Sequence, residues 1–303
     1  MYSVKRKIVT AVVFTVALSA NAFAQQIFKV SQYMEHSFIH NPAAVGANDV
    51  TTVGGVFRSQ WSGIDGSPKT VLLFGDTYIP SKNTGIGAVL YSDKTGPTSR
   101  TGGNFNVSYS VKLDGEGKKK LMMGLGAEVL QFKVDKDKIA EYIPNDPLLA
   151  SSGSTIKGDA CAGIYLKTSK LSIGASAFQL LQPKLDFVKS STNVDGKLYR
   201  HFFFNASYRI VTDEANVLLP HVEVRYQPNA PADYEAGIML LHRDFIHVGV
   251  SAHYKQDYTI FAGIKIDHKF TIGYAYDLFL HPINTFDGGN GAHELSLRYF
   301  FIK

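Results

Sequence analysis

The chain has 303 residues, with 31 Lys and Arg against 26 Asp and Glu and a formal net charge of +5. Lys5, Arg6 and Lys7 stand in the first 24 residues, which hold no acid, so the remainder carries only +2, too little for a nucleic-acid footprint. Cys161 is the single cysteine, which excludes an internal disulfide and a cysteine metal site.

The first 24 residues read as a secretory leader. A basic start precedes an apolar stretch over 8–20, and Ala22-Phe23-Ala24 supplies a small-x-small cleavage site before Gln25. The apolar stretch falls short of the roughly 20 residues of a helical span. Residues 25–50 follow with no alternation; Asn41-Pro42 and Gly46 are turn formers there. Chain order puts this segment on the periplasmic side or folds it inward as a partial plug.

From Thr51 onward a period of two keeps returning. Phe105, Val107, Tyr109, Val111 and Leu113 interleave with Asn104, Asn106, Ser108, Ser110 and Lys112. Leu295, Leu297, Tyr299 and Phe301 alternate with Glu294, Ser296 and Arg298, and Val222, Val224 and Tyr226 with His221, Glu223 and Arg225. Such alternation marks strands with one apolar and one polar face. Fourteen strands are predicted, near 51–61, 70–79, 84–93, 101–113, 120–132, 158–167, 171–179, 200–211, 217–227, 233–242, 246–255, 257–267, 269–277 and 291–301. The count is even and the usual length is near the roughly 9–11 residues of a tilted membrane-crossing strand.

Connections sort by parity. Those after even strands are short and polar, as at 81–83, 115–119, 168–170, 243–245 and 267–268. The long ones, 133–157, 180–199 and 278–290, all follow odd strands; the connection at Gln256 is odd and short. A water-soluble sandwich has no reason to sort its loops in this way, whereas an outer-membrane barrel carries its long loops outside the cell. With 20 Phe, 16 Tyr and 27 Gly, and no run of 18 apolar residues, the composition agrees. The expected fold is all-β: one antiparallel transmembrane barrel over 51–303, preceded by the leader over 1–24 and the segment over 25–50.

Catalytic motifs are scarce. Gly85-x-Gly87 and Gly124-x-Gly126 lack the third glycine of a dinucleotide fingerprint and read as strand glycines against a crowded wall. His221-x-Glu223 lacks the cysteine pair of a zinc deaminase, and Asp135-x-Asp137 lacks the rest of a calcium loop. No catalytic, metal or cofactor residue is predicted. Cys161, between Ala160 and Ala162, reads as a packing residue. Lys118-Lys119-Lys120 reads as a solvated strand end at a periplasmic turn. His247, Ser251, His253 and Lys255, with Glu223 and Arg225, are expected to line a hydrated lumen.

Several segments carry a resemblance. Gln32-Tyr33-Met34, then Asn41-Pro42-Ala43-Ala44-Val45-Gly46, then the block Arg58-Ser59-Gln60-Trp61-Ser62-Gly63-Ile64-Asp65-Gly66-Ser67-Pro68-Lys69-Thr70 resemble the PorP/SprF family. Gly85-Ile86-Gly87 leading to Asp93 and Gly96 fits it too, as does the closing Gly291-Ala292-His293-Glu294-Leu295-Ser296-Leu297. The resemblance implies a barrel of the type IX secretion and gliding machinery, working with secreted substrates that carry a C-terminal sorting domain. It implies as partners a large cell-surface adhesin, other secretion-machinery subunits and outer-membrane lipid. The adhesin-paired kind is favoured over the secretion accessory. Asn41, Pro42, Gly46, Arg58, Gln60, Trp61, Gly63, Asp65, Gly66 and Pro68 are the motif residues and the candidates for partner contact.

Read physically, Arg58 and Trp61 at the end of the first strand suit the membrane interface, and Asp65, Gly66 and Pro68 shape a tight extracellular turn. Three functions fit an outer-membrane barrel of this kind. A secretion and anchoring component requires a blocked lumen, and a passive porin-like channel requires an open one. A fatty-acid-type transporter needs an apolar interior, which predicted lumen rows of mostly Asn, Ser, His, Lys and Arg disfavour.

Overall fold

The computed structural model describes residues 27–142, 153–185 and 196–302, so the expected leader lies outside the described residues. Its strands are β1 (Thr51–Gln60), β2 (Lys69–Ile79), β3 (Thr84–Thr95), β4 (Thr98–Lys112), β5 (Lys120–Val134), β6 (Ser154–Lys167), β7 (Leu171–Phe178) and β8 (His201–Tyr208). They continue with β9 (Ile210–Val211), β10 (Asn216–Tyr226), β11 (Asp233–His242), β12 (Ile246–His253), β13 (Asp257–Ile266), β14 (Phe270–Phe279) and β15 (Ala292–Phe301). Apart from β8 and β9, neighbouring strands along the chain pair antiparallel. β8 and β9 both pair with β10 and form one strand interrupted at Arg209. β1 pairs with β15, from Thr51↔Phe301 to Gln60↔Ala292, and closes the sheet into a fourteen-stranded barrel. Closure satisfies every strand edge, the condition for crossing lipid with strands. No helix among the described residues is long and apolar enough to cross a membrane.

The alternation maps onto two faces. Asn104, Asn106, Ser108 and Ser110 point inward and are buried, while Phe105, Val107, Tyr109 and Val111 point outward and are exposed. The same holds around the wall: Leu73, Leu90, Leu125, Val129, Ile164, Val250, Ile260 and Leu297 all lie exposed on the outer face. An apolar girdle of this extent has no place in water and matches the lipid-facing band of an outer-membrane barrel.

All fourteen predicted strands are present, with four notable differences at their ends. β3 runs on to Thr95 and β4 begins at Thr98, so Gly96-Pro97 is a second short connection after an odd strand. β5 reaches Val134, and β6 begins at Ser154 rather than 158. These extensions rise beyond the apolar band, where Lys94, Ser99 and Lys133 make the outer face polar as well and alternation carries no signal. The short helices α1 (Lys136–Tyr142) and α2 (Ile283–Phe286) stand in the connections at the same rim.

Candidate functional site

The barrel encloses its own N-terminal stretch. Val30, Ser31, Gln32, Tyr33, His36, Phe38, Ile39, His40, Asn41, Pro42, Ala43, Ala44 and Val45 are all buried, and their contacts are inward-facing side chains from opposite walls. The segment folds as three 3₁₀ turns, Tyr33–Glu35, Ser37–Ile39 and Pro42–Ala44. One side is apolar. Val30, Phe38, Ile39, Ala43, Ala44 and Val45 pack with Val56, Leu72, Phe74, Val89, Tyr91, Met122, Leu130 and Tyr165 from β1 to β6. Beside the expected Asn, Ser, His, Lys and Arg, the interior thus carries this apolar patch and a set of buried acids. Phe74 shows how tight the fit is: its ring meets His36 at 4.8 Å and Phe38 edge-on at 5.6 Å, between centroids.

The stretch from Asn41 to Gly46 is keyed into the wall by glycines. Asn41 caps the turn over Pro42–Ala44, its Oδ1 accepting from Ala43 N–H at 2.9 Å, while its Nδ2 donates to the Ile164 carbonyl at 3.0 Å. Gly163 and Gly174 leave room for the Asn41 amide, Gly124 for Pro42 and Ala43, and Gly85 for the Val45 carbonyl; a Cβ at any of the four would overlap those atoms. Ser108 Oγ donates to the Val45 carbonyl at 2.7 Å. Gly46 has φ +73° and donates its N–H to Asp76 at 2.8 Å. The four wall glycines lie on β3, β5, β6 and β7, and with Asp76 on β2 and Ser108 on β4 one short motif touches six adjacent strands.

Buried ion pairs and hydrogen bonds supply the polar contacts of the segment. Arg58, 2 % exposed, reaches Asp277 and Ser31 Oγ, and lies 3.5 Å from Glu294. Asp277 also accepts from Ser31 Oγ at 3.0 Å and Thr259 Oγ1 at 2.7 Å. Glu294 accepts the backbone N–H groups of Ser31 at 2.7 Å and Gln32 at 3.0 Å. Lys29 donates to Asp257 at 2.8 Å; His253 bridges Asp257 at 2.7 Å and Glu235 at 2.6 Å. Arg298 pairs with Glu35, and His40 with Glu223 at 3.0 Å. At the rim of the short turns Lys120 holds Asp49 at 2.7 Å. Charges withdrawn from water this completely persist only when paired and hydrogen-bonded.

Three expectations are corrected here. Arg58 does not sit at the lipid interface: period two from the outward Val53 and Phe57 places it inside, where Asp277 and Glu294 neutralise it. Lys120 is not a solvated strand end; it points inward to Asp49, while Lys118 is exposed beside Glu116 at 2.6 Å. Lys255 does not line the lumen, because β12 ends at His253 and Lys255 occupies an exposed left-handed turn with φ +60°, its Nζ over the Tyr254 ring. His221, His247, Ser251, His253 and Glu223 do face inward and are buried.

The remaining motif residues build the mouth at the long-loop rim. Gln60 N–H donates to Pro68 O at 2.9 Å and closes the loop over 61–68. Inside it Trp61 has φ +53° and its ring lies 6.3 Å from Phe279, an inward residue at the end of β14, rather than against lipid. Asp65 accepts from Gly66 N–H at 2.9 Å, and Gly66 O accepts from Gly96 N–H at 2.7 Å, tying the loop to the β3–β4 turn. Gly63 N–H donates to Asp287 at 3.0 Å, and Asp287 also accepts from Gly291 N–H. Thus Asn41, Pro42 and Gly46 meet one wall, Arg58 the charged core, and Gln60 to Pro68 the mouth; they form no single patch. Asp287, buried between two loops, and Lys29, Glu35, Asp257 and Asp277 were not singled out in the sequence. The inward parity of Asp257 and Asp277 was their one legible signal.

Cys161 is buried and shares its sulfur with Asn104 and Asn106, as a packing residue does. Among the described residues no group of three or more His, Cys, Asp and Glu side chains is placed to hold a metal ion.

A closed antiparallel barrel with an apolar girdle, long loops at one rim and a filled interior is an outer-membrane protein. The chain belongs to the PorP/SprF family, described as type IX secretion system membrane proteins, whose model matches residues 22–299. No curated protein matches the sequence. Among solved structures the fold is similar to the Ralstonia pickettii toluene transporter TbuX, at 9 % identity over 88 % of this chain and 93 % of that one, with a TM-score of 0.53. It is likewise similar to the CymD monoaromatic hydrocarbon channel, at 10 % identity over 92 % and 95 %, with a TM-score of 0.52. A deletion mutant of the TodX monoaromatic hydrocarbon channel follows at 9 % over 87 % and 92 %, with a TM-score of 0.51. At such identities the likeness concerns the barrel alone.

Proposed function

We propose that this barrel is a non-enzymatic component of the type IX secretion machinery that binds, helps export or anchors a large cell-surface adhesin through its C-terminal sorting domain. Residues 25–50 serve in this reading as an inner plug rather than a periplasmic contact. The observation that carries the reading is the filled lumen: residues 29–49 are fastened to both walls by paired charges and by apolar packing. A barrel blocked in this way offers a protein partner its rim and loops, not its bore. The mouth built by Gln60, Trp61, Gly63, Asp65, Gly66 and Pro68 is a braced platform, because Asp287 and Gly96 hold it to two neighbouring connections.

Affinity purification of the full chain from detergent-solubilised membranes, followed by mass spectrometry, tests the proposal. Near one-to-one recovery of a large secreted protein with a C-terminal sorting domain is the expected result. Recovery of the barrel alone, together with steady conductance in a planar bilayer, would replace the proposal with a passive solute channel.

A further inference from the structure

We infer that the outer wall carries a binding site for the phosphate headgroups of membrane lipids, at the long-loop rim between β1 and β5. The strand register puts one row of residues side by side there: Ser59↔Lys69, Lys69↔Lys94, Lys94↔Ser99 and Ser99↔Lys133. Parity places the whole row on the lipid side, since Arg58, Thr70 and Arg100 alongside are buried and inward. Lys69 and Lys94 are therefore direct cross-strand neighbours of like charge, an arrangement that repels in the absence of a counter-charge. Among the described residues, none of Lys69, Lys94, Lys133 and Lys138 forms an ion pair with a carboxylate.

A cavity accompanies the charges. The loop over 61–68 overhangs a cleft of about 460 Å³ lined by Ser59, Ser67, Lys69, Lys94 and Lys138. Asp65 is its one carboxylate, and that group already accepts from Gly66 N–H. The cleft is thus cationic, with serine hydroxyls as further donors.

Height on the wall identifies the ligand. On the same outward rows Lys69 stands two residues beyond Val71, Lys94 four beyond Leu90 and Lys133 four beyond Val129, all three of which are exposed apolar residues of the girdle. At roughly 3.3 Å per residue the ammonium groups lie just past the hydrocarbon edge, in the layer where lipid phosphates reside and long lysine side chains extend to meet them. Phosphate offers several acceptor oxygens to such a cluster, and an acyl chain below it has the apolar wall to lie on.

Native mass spectrometry of the full chain, with phosphatidylglycerol and phosphatidylcholine supplied together, tests the site. Wild type is expected to retain phosphatidylglycerol over phosphatidylcholine by about tenfold, given the pull of several lysines on an anionic headgroup. The triple variant Lys69→Gln, Lys94→Gln, Lys138→Gln should lose that preference; Lys118→Gln with Lys119→Gln, on the opposite rim, should keep it. Unchanged preference in the triple variant overturns the inference. Complete competition by inorganic phosphate also overturns it, by making the site one for a free anion. A melting comparison guards against misfolding. Lys94→Gln should raise Tm in zwitterionic detergent, where it relieves repulsion, and lower it in phosphatidylglycerol nanodiscs. The same sign in both media counts against a lipid counter-charge.

Discussion

Arg58 shows how much one side chain can hold at the junction of wall and interior. It neutralises Asp277 and approaches Glu294, both fully buried, and it contacts Ser31 of the inner segment. Arg58→Met preserves length and apolar volume but leaves two carboxylates without their cation. Breaking a buried pair by removing one partner costs about 3–5 kcal/mol, so urea unfolding of the variant in detergent should show a loss of that order. Converting Asp277 to Asn in the same background should return part of it; a variant as stable as wild type would show that Lys29 alone satisfies the acids. Gly124 makes the opposite point, because its role is to be absent. A Cβ there meets Pro42 and Ala43 of the inner segment, yet valine suits a strand. Gly124→Val should therefore close a normal barrel while expelling the inner segment, read as new protease cleavage near residues 40–46 with heat-modifiable migration retained. Cleavage equal to wild type would mean that the wall yields instead.

At the scale of elements, legibility followed the membrane. Within the apolar band each strand has one face in lipid and one in the interior, so Phe105 to Val111 declares itself by alternation. Beyond the band both faces carry polar residues, and Thr98 to Arg100 gives no sign that β4 has begun. Arg58 and Lys120 are readable as inward by parity from Phe57 and Leu121, although a cation at a strand end also suits an interface or a turn. The inner segment was opaque for another reason: 3₁₀ turns impose no long period, and its partners are remote, Ser31 lying 263 positions from Glu294. Its motif, Asn41-Pro42 and Gly46, was visible; its docking surface of four wall glycines was not, because glycines announce space and not what fills it. The Asp49–Lys120 pair tests the attachment of the segment's far end. Asp49 is half exposed, so the pair is worth no more than about 1 kcal/mol. Asp49→Lys and Lys120→Glu should each raise hydrogen exchange around residues 46–50, and the double reversal should restore it. Additive effects in the double variant would show that the two charges do not communicate.

For the whole molecule the question is what a fourteen-stranded wall does with its bore. Removing the inner segment would leave a barrel of this strand number with an aqueous passage, lined on one side by the acids of β13 to β15 and on the other by Leu72, Phe74, Val89, Tyr91 and Met122. The apolar patch is the informative part. A wall evolved to face a water-filled channel has no use for five large apolar side chains in a patch, whereas a wall evolved to grip Phe38, Ile39 and Val45 requires them. The full chain in a planar bilayer should accordingly show no steady conductance, and deletion of residues 27–48 should open stepwise, cation-preferring conductance, since the acids would lose Lys29 but keep their charge. The deletion should also lower Tm, because the apolar patch becomes wet. Equal conductance with and without the segment would mean that ions pass around it, and the interior would then have to be read as a lined channel. Closure without the segment would place the barrier in the loops at the mouth, where Asp287 joins Gly63 to Gly291.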